Sequence, residues 1–370
     1  MSTILNSLLV PTAPSLPIAP KDYEPRYHDQ VNNVLRLYFN QLGGNDVTTL
    51  LGPLGAQHLN APLLSAYDTS NQYDGSTSIP YAVRFNSTAI GQGISVNSRT
   101  FNGTCEIALT VMTCTEALAG RLYPSMLLYG LGVTSGTYVY LQLSSTATPI
   151  TGTQNYVSGG AVGTNTFVVS GGSGNIAVRQ FVSGTGVPAN TRVNSLTYDA
   201  ELNRTTVVLS ANFTVQAAGS YVFRPWGYEG TYSVSPSQTV SSRIISGALP
   251  SLLVPAQPGI YNVQFSLQFS NTDNNVVHEV DVWLRVNDVD IPNSNSRFSI
   301  PGKHSGLNGQ LIASLNVFTE LRAGDELELV WHTDNSTVYI ETIPAQTNPI
   351  RPQTPSAIVT LTFVSTLTTA

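Results

Sequence analysis

Lysine is nearly absent from this 370-residue chain, where only Lys21 and Lys303 occur. Charged residues of both signs make up 10% of it, against roughly 25% in ordinary soluble domains. No cluster of Lys and Arg stands anywhere, and the formal net charge is −6. Such a chain cannot neutralise many phosphates, so no nucleic-acid partner is expected. Apolar runs of membrane-spanning length are missing too, so no membrane insertion is expected. The opening MSTILNSLLV lacks a basic leader and prolines follow at once, so no signal peptide is expected either.

Catalytic motifs are missing as well. The histidines are His28, His58, His278, His304 and His332, and none forms H-x-x-x-H or H-E-x-x-H. No G-x-S-x-G elbow is present. Asp281, Asp288 and Asp290 group near one turn, as do Asp273 and Asp334. Calcium takes several carboxylates, but Asp is also a turn former, and that reading is preferred. No catalytic, cofactor-binding or metal residue is assigned, no cofactor is expected, and the chain is not read as an enzyme. Cysteine is scarce: Cys105 and Cys114 stand alone, nine apart. On one extended strand an odd separation puts them on opposite faces, so two buried free thiols are expected.

Polarity is carried instead by Ser, Thr, Asn and Gln, a composition suited to an extracellular or virion protein. Five N-x-S/T triplets, at Asn86, Asn102, Asn203, Asn212 and Asn335, follow from the abundance of Asn and Thr. Residues 1–25 hold Pro11, Pro14, Pro17, Pro20 and Pro25, which predicts an extended segment without a core. Residues 26–44 read as an amphipathic helix. Val31, Val34, Leu35, Tyr38 and Leu42 form one narrow stripe, and Gly43-Gly44 ends it. The stripe either packs on the chain's own β-domain or meets copies of itself, since so short a helix is marginal alone.

From residue 64 onward the pattern is β. In 261-YNVQFSLQFS-270, Tyr261, Val263, Phe265, Leu267 and Phe269 share one face and amides share the other. In 280-VDVWLRVND-288, Val280, Val282, Leu284 and Val286 point one way, which leaves Trp283 opposite the core. A loop or a neighbouring chain would cover it. A third strand, 326-ELELVWH-332, turns Leu327, Leu329 and Trp331 inward. The middle of the chain holds a repeat at an offset of 54: Gly130, Gly132, Val133, Thr137 and Val139 recur as Gly184, Gly186, Val187, Thr191 and Val193. A Thr/Ser-rich strand follows each copy, 138-YVYLQLSS-145 and 205-TTVVLSA-211, and each ends in an aromatic strand, at Tyr156 or at Tyr221 and Phe223. The glycines mark turns. No helix follows G-x-G, so this is not a dinucleotide loop.

Residues 258-PGIYNVQFSLQFS-270, 282-VWLRVNDVDIPNS-294, 321-LRAGDELELVW-331, 338-VYIET-342 and 356-SAIVTLTFV-364 resemble the C1q/TNF-like jelly roll. Asp288 stands where that family usually has glycine, and the family's closing Gly-Phe motif is missing. The segment 78-SIPYAVRFNST-88 looks like the family's opening strand, and the residues between it and 242 have no counterpart in the family. Either they are inserted into one jelly roll, or the chain is three beads in a row. A Pro-rich leader and helix ahead of such a domain, together with the G-x-G-V/I-P-A-x-T-x-V module, resemble structural proteins of tailed phages of marine bacteria and cyanobacteria.

The expected fold is all-β: a jelly-roll sandwich with an inserted β-module of two repeats and a short N-terminal helix. The expected organisation is an anchor at 1–25, a stalk helix at 26–44, a discontinuous jelly roll at 60–100 and 241–370, and an inserted domain at 101–240. The resemblance implies a homotrimer, with Val31, Leu35, Tyr38, Leu42 and Trp283 as interface candidates. It implies a virion fibre or spike that binds other virion proteins through 1–25 and offers its jelly roll to a host-surface glycan. Alternatives are a capsid or neck decoration, and a surface-polysaccharide depolymerase. Two copies of a 54-residue repeat fall short of the long solenoids usual in the last class.

Overall fold

The computed structural model describes residues 29–35, 61–73, 79–149, 154–170 and 176–367. Residues 29–35 are helical, with Val31, Val34 and Leu35 half-buried and Asp29, Gln30, Asn32 and Asn33 exposed. Tyr38, Leu42 and residues 1–25 lie outside the described residues. Among the described residues everything else with regular structure is strand, an all-β architecture.

Two antiparallel sheets pack face to face in a jelly-roll-like sandwich. One sheet runs Gly309–Leu321, Gly259–Asn271, Ala357–Ser365, Leu63–Asp68, Ser87–Gln92. The other runs Ser296–Ile300, His278–Val286, Leu327–Thr333, and there meets Tyr81–Ala82 and the end of the strand Gly230–Pro255. The period-2 stripes face each other as read from the sequence: Tyr261, Val263, Phe265, Leu267 and Phe269 from one sheet, Val280, Val282, Leu284, Leu327 and Leu329 from the other. Trp331 lies fully buried among them, its ring 6.2 Å from Tyr81 and 5.6 Å from Phe269. Asn287 and Asp288 carry the turn after His278–Val286 with φ of 50° and 64°. Asp tolerates this left-handed region, which accounts for Asp288 where glycine was expected.

The chain leaves the sandwich as two paired strands. Ile94 stands opposite Pro255, and the ladder runs outward through Arg99 opposite Leu249 to Ile107 opposite Val240. Position 99 therefore faces Leu249. The segment Ile94–Gly120 then folds back on itself at Leu109, which has φ 59°. Thr115 Oγ1 donates to the Thr104 carbonyl at 3.2 Å and Arg121 N to the Thr100 carbonyl at 3.1 Å. This reversal corrects the expectation of free thiols. Cys105 and Cys114 are opposed across a hairpin with their Cα atoms 4.1 Å apart, and they form a disulfide.

The arms close into a ring with a core of its own, centred on Phe101, Ile107, Met112, Leu128, Tyr232 and Ile245. Around the ring stand Leu127–Tyr129, the 238–255 arm, the 94–108 arm, the 111–120 arm, the 230–235 arm, and Tyr138–Ser145, which pairs back to Leu127. A second ring is threaded between Ser145 and Gly230. Its order is Phe181–Ser183, Ser220–Arg224, Gln154–Gly159, Thr166–Ser170, Arg204–Leu209, Val193–Asp199, and the Phe181–Arg192 bridge closes it. It too has its own core, around Phe167, Val169, Val207, Phe213, Tyr221 and Phe223.

Taking six strands of each ring in chain order, both rings run third, sixth, first, second, fifth, fourth. One small barrel thus occurs twice, the second copy inside the first and the first inside the sandwich. The extent of the repeat differs from the sequence reading. The counterpart of Tyr138–Ser145 is Val193–Asp199, and both aromatic strands belong to the second barrel, where Asn155 pairs with Ser220.

Candidate anion-binding cleft

The repeated turn fixes the site. Leu128 N donates to the Thr137 carbonyl at 2.8 Å, and Val182 N to Thr191 at 2.9 Å. The Thr137 hydroxyl donates to the Thr134 carbonyl at 2.6 Å, and Thr191 to Pro188 at 2.7 Å. Gly132 and Gly186 have φ of 82° and 81°, a backbone that favours glycine. Ser125 and Arg179, also equivalent, have φ of 67° and 73°. The left-handed backbone at Arg179 therefore belongs to the shared turn and is not a mark of function.

Between the sandwich and the two barrels lies a cleft of about 840 Å³. Arg121 comes from the first barrel, Arg179, Arg192 and Asn194 from the second, Trp226 from the stretch between Arg224 and Gly230 that leads back to the first, and Arg285 and Asp290 from the sandwich. Arg121 and Arg179 lie 5.9 and 5.2 Å from the Trp226 ring. Arg121 also lies 5.0 Å from the Tyr228 ring, and its Nε donates to the Tyr228 hydroxyl at 2.7 Å. Arg192 lies 4.7 Å from the Phe181 ring and donates to the Gln142 carbonyl.

The carboxylates of the cleft already have partners. Asp290 accepts from Arg285 Nε at 2.7 Å and from Trp283 Nε1 at 2.8 Å. Burial pushes its pKa up, but these two hydrogen bonds, together with the nearby charges of Arg285 and Arg179, hold it below the ordinary aspartate value. Asp288 pairs with Arg99 at 2.8 Å. Arg121, Arg179 and Arg192 form no ion pair with any described residue. Burial, then the nearby Arg285 charge, lowers the pKa of Arg179 to about 10, so it stays cationic at neutral pH. The arrangement is a set of fixed guanidiniums with unused donors, which suits an oxyanion.

Among the sequence-predicted residues, Trp283 lies on the outer face of its strand, half-buried, and rests on Asp290 at the cleft's edge. It is far in sequence from Val31 and Leu35 on the helix, and nothing described brings these together. Asp281 pairs with Arg297, and Asp273 and Asp334 flank His278 at 2.9 and 3.2 Å. Among the described residues no group of three or more metal-ligating side chains converges. Sequence reasoning missed Arg121, Arg179, Arg192 and Trp226. They are isolated in the chain, and only the 54-residue offset, which sets Arg192 against Tyr138, hinted that the two copies differ in decoration. No family model matches this sequence, and no curated protein matches it.

Proposed function

We propose that the chain is a structural protein of a tailed-phage virion, a homotrimeric fibre or spike held by its N-terminus and exposing its β-domains to a host-surface glycan. The observation that carries this reading is the order of parts: proline-rich leader, helix, then a jelly-roll-like sandwich bearing nested barrels on two strands. Such a design holds a large, weakly charged surface away from its attachment point. The edge strand Gly309–Leu321 supports self-association. Among the described residues it pairs along its length only with Gly259–Asn271, and it leaves Ile312 and Phe318 60% and 61% exposed. A long edge whose one charged residue is Glu320, with exposed apolar residues along it, is a surface that a homo-oligomer covers. The proposed role involves no covalent chemistry. A capsid or neck decoration shares every feature except the glycan, and a depolymerase would need paired acids that meet in the fold. Light scattering tests the assembly. A particle of three times the 39.5 kDa chain is expected, and a stable monomer at micromolar concentration contradicts it.

A further inference from the structure

The two barrels share a ring order but present different side chains. At the offset of 54, Tyr138 and Tyr140 of the first correspond to Arg192 and Asn194 of the second. The first copy uses its positions for packing: Tyr138 and Tyr140 meet edge to face at 4.7 Å, and Tyr138 stacks on Tyr73 of the sandwich at 6.2 Å. The second copy turns the same positions toward the cleft.

We propose that this cleft binds the acidic unit of a surface saccharide, a uronate or a sulfated sugar, through Arg121, Arg179 and Arg192. The proposal rests on the reading of the chain as a glycan-binding attachment protein and names the kind of glycan. Three of the fourteen arginines converge here with no carboxylate of the described residues at ion-pair distance, in a chain whose net charge is −6. Each guanidinium lies against an aromatic ring. Stacking fixes the plane of the guanidinium, and the N–H groups not used by the Arg121–Tyr228 and Arg192–Gln142 bonds remain to grip a carboxylate or sulfate. The wall between them carries Asn190, Asn194 and Ser210, uncharged groups suited to sugar hydroxyls. The volume of about 840 Å³ falls within the roughly 300–1,000 Å³ usual for small-ligand sites. A long polyanion is disfavoured by the acidic balance of the rest of the chain.

Isothermal titration of the full chain tests this with four probes: a uronate-containing oligosaccharide, a sulfated one, a neutral one of equal length, and inorganic sulfate. One acidic saccharide should bind at one site per chain, more weakly as salt rises, and preference between the two identifies the anion. Arg179→Gln and Arg192→Gln should each weaken it roughly 10- to 100-fold, the loss of a charge-assisted hydrogen bond. Arg243→Gln, outside the cleft, should change nothing. Should a cleft variant fail to fold, the salt dependence and the neutral probe on the unaltered chain still decide. Equal binding of neutral and acidic saccharides, binding of sulfate as tight as that of either sugar, or no binding at all overturns the proposal. Neutral-sugar binding that survives the cleft variants removes the cleft but leaves glycan attachment standing.

Discussion

Arg99 and Glu328 face each other in a two-point pair. Arg99 Nε and a terminal nitrogen each lie 3.0 Å from a different oxygen of Glu328. Arg99 belongs to the stem of the first barrel, Glu328 to the sandwich, and their side chains are 8% and 3% exposed. Ser251 Oγ adds a bond to Glu328 at 2.7 Å, and the Tyr123 hydroxyl accepts from Arg99 at 3.0 Å. This is the fixed joint between the sandwich and its insert. Removing one partner strands a buried charge, so Arg99→Ala should cost about 3–5 kcal/mol by denaturant titration. Asp288→Asn should cost under about 1 kcal/mol, because that carboxylate is 54% exposed. Equal losses would show that the burial of the pair does not matter.

The disulfide closes the first barrel's opening hairpin. Chain entropy for a loop of this size gives roughly 2–3 kcal/mol, so Cys105→Ser with Cys114→Ser should lower stability by about that much and leave the sheet signal intact. Alkylation of the unreduced, denatured chain should label neither cysteine. Labelling of both would restore the free-thiol reading.

The nesting predicts two clean excisions. Joining Arg99 to Leu249 through an Asn-Gly turn removes both barrels at a point where the strands are already paired, and keeps the partner of Glu328. Joining Thr146 to Glu229, which are hydrogen-bonded at 3.0 Å, removes the second barrel alone. Both products should unfold cooperatively, and a molten product from either would mean that its core depends on the part removed.

Acid should loosen the contact of Asp290 with Arg285 and Trp283. The folded pKa of Asp290 lies below the ordinary 3.8. The stabilisation is therefore full above that value and is lost as pH falls through the lower, folded value. The stability difference between the native chain and Asp290→Asn should be constant near neutrality and shrink below about pH 4 in paired denaturant titrations. A difference that grows on acidification contradicts the assignment.

How much of this was legible in the sequence varies by physical cause. The sandwich core was readable because burial on one face writes a period of two, as in Tyr261 to Phe269 and Val280 to Leu284. The repeat was readable where glycine is demanded by backbone, at Gly132 and Gly186. Its true extent was not, because the first copy is interrupted between Ser145 and Gly230 by the second. The disulfide was hidden because the chain reverses at Leu109, a leucine in a left-handed conformation, where no glycine or asparagine marks a turn. The cleft was hidden because its arginines come from different elements and meet only in the fold.

The proposed polarity, with residues 1–25 as anchor and the β-domains outward, is tested most directly by incorporation. The chain and a version lacking 1–25 would be expressed during particle assembly, and each would be quantified in purified particles. The account predicts that the intact chain is found in particles, that the truncated chain still folds as a trimer, and that it is absent from them. Truncated chain present at the same level as the intact one would contradict the claim.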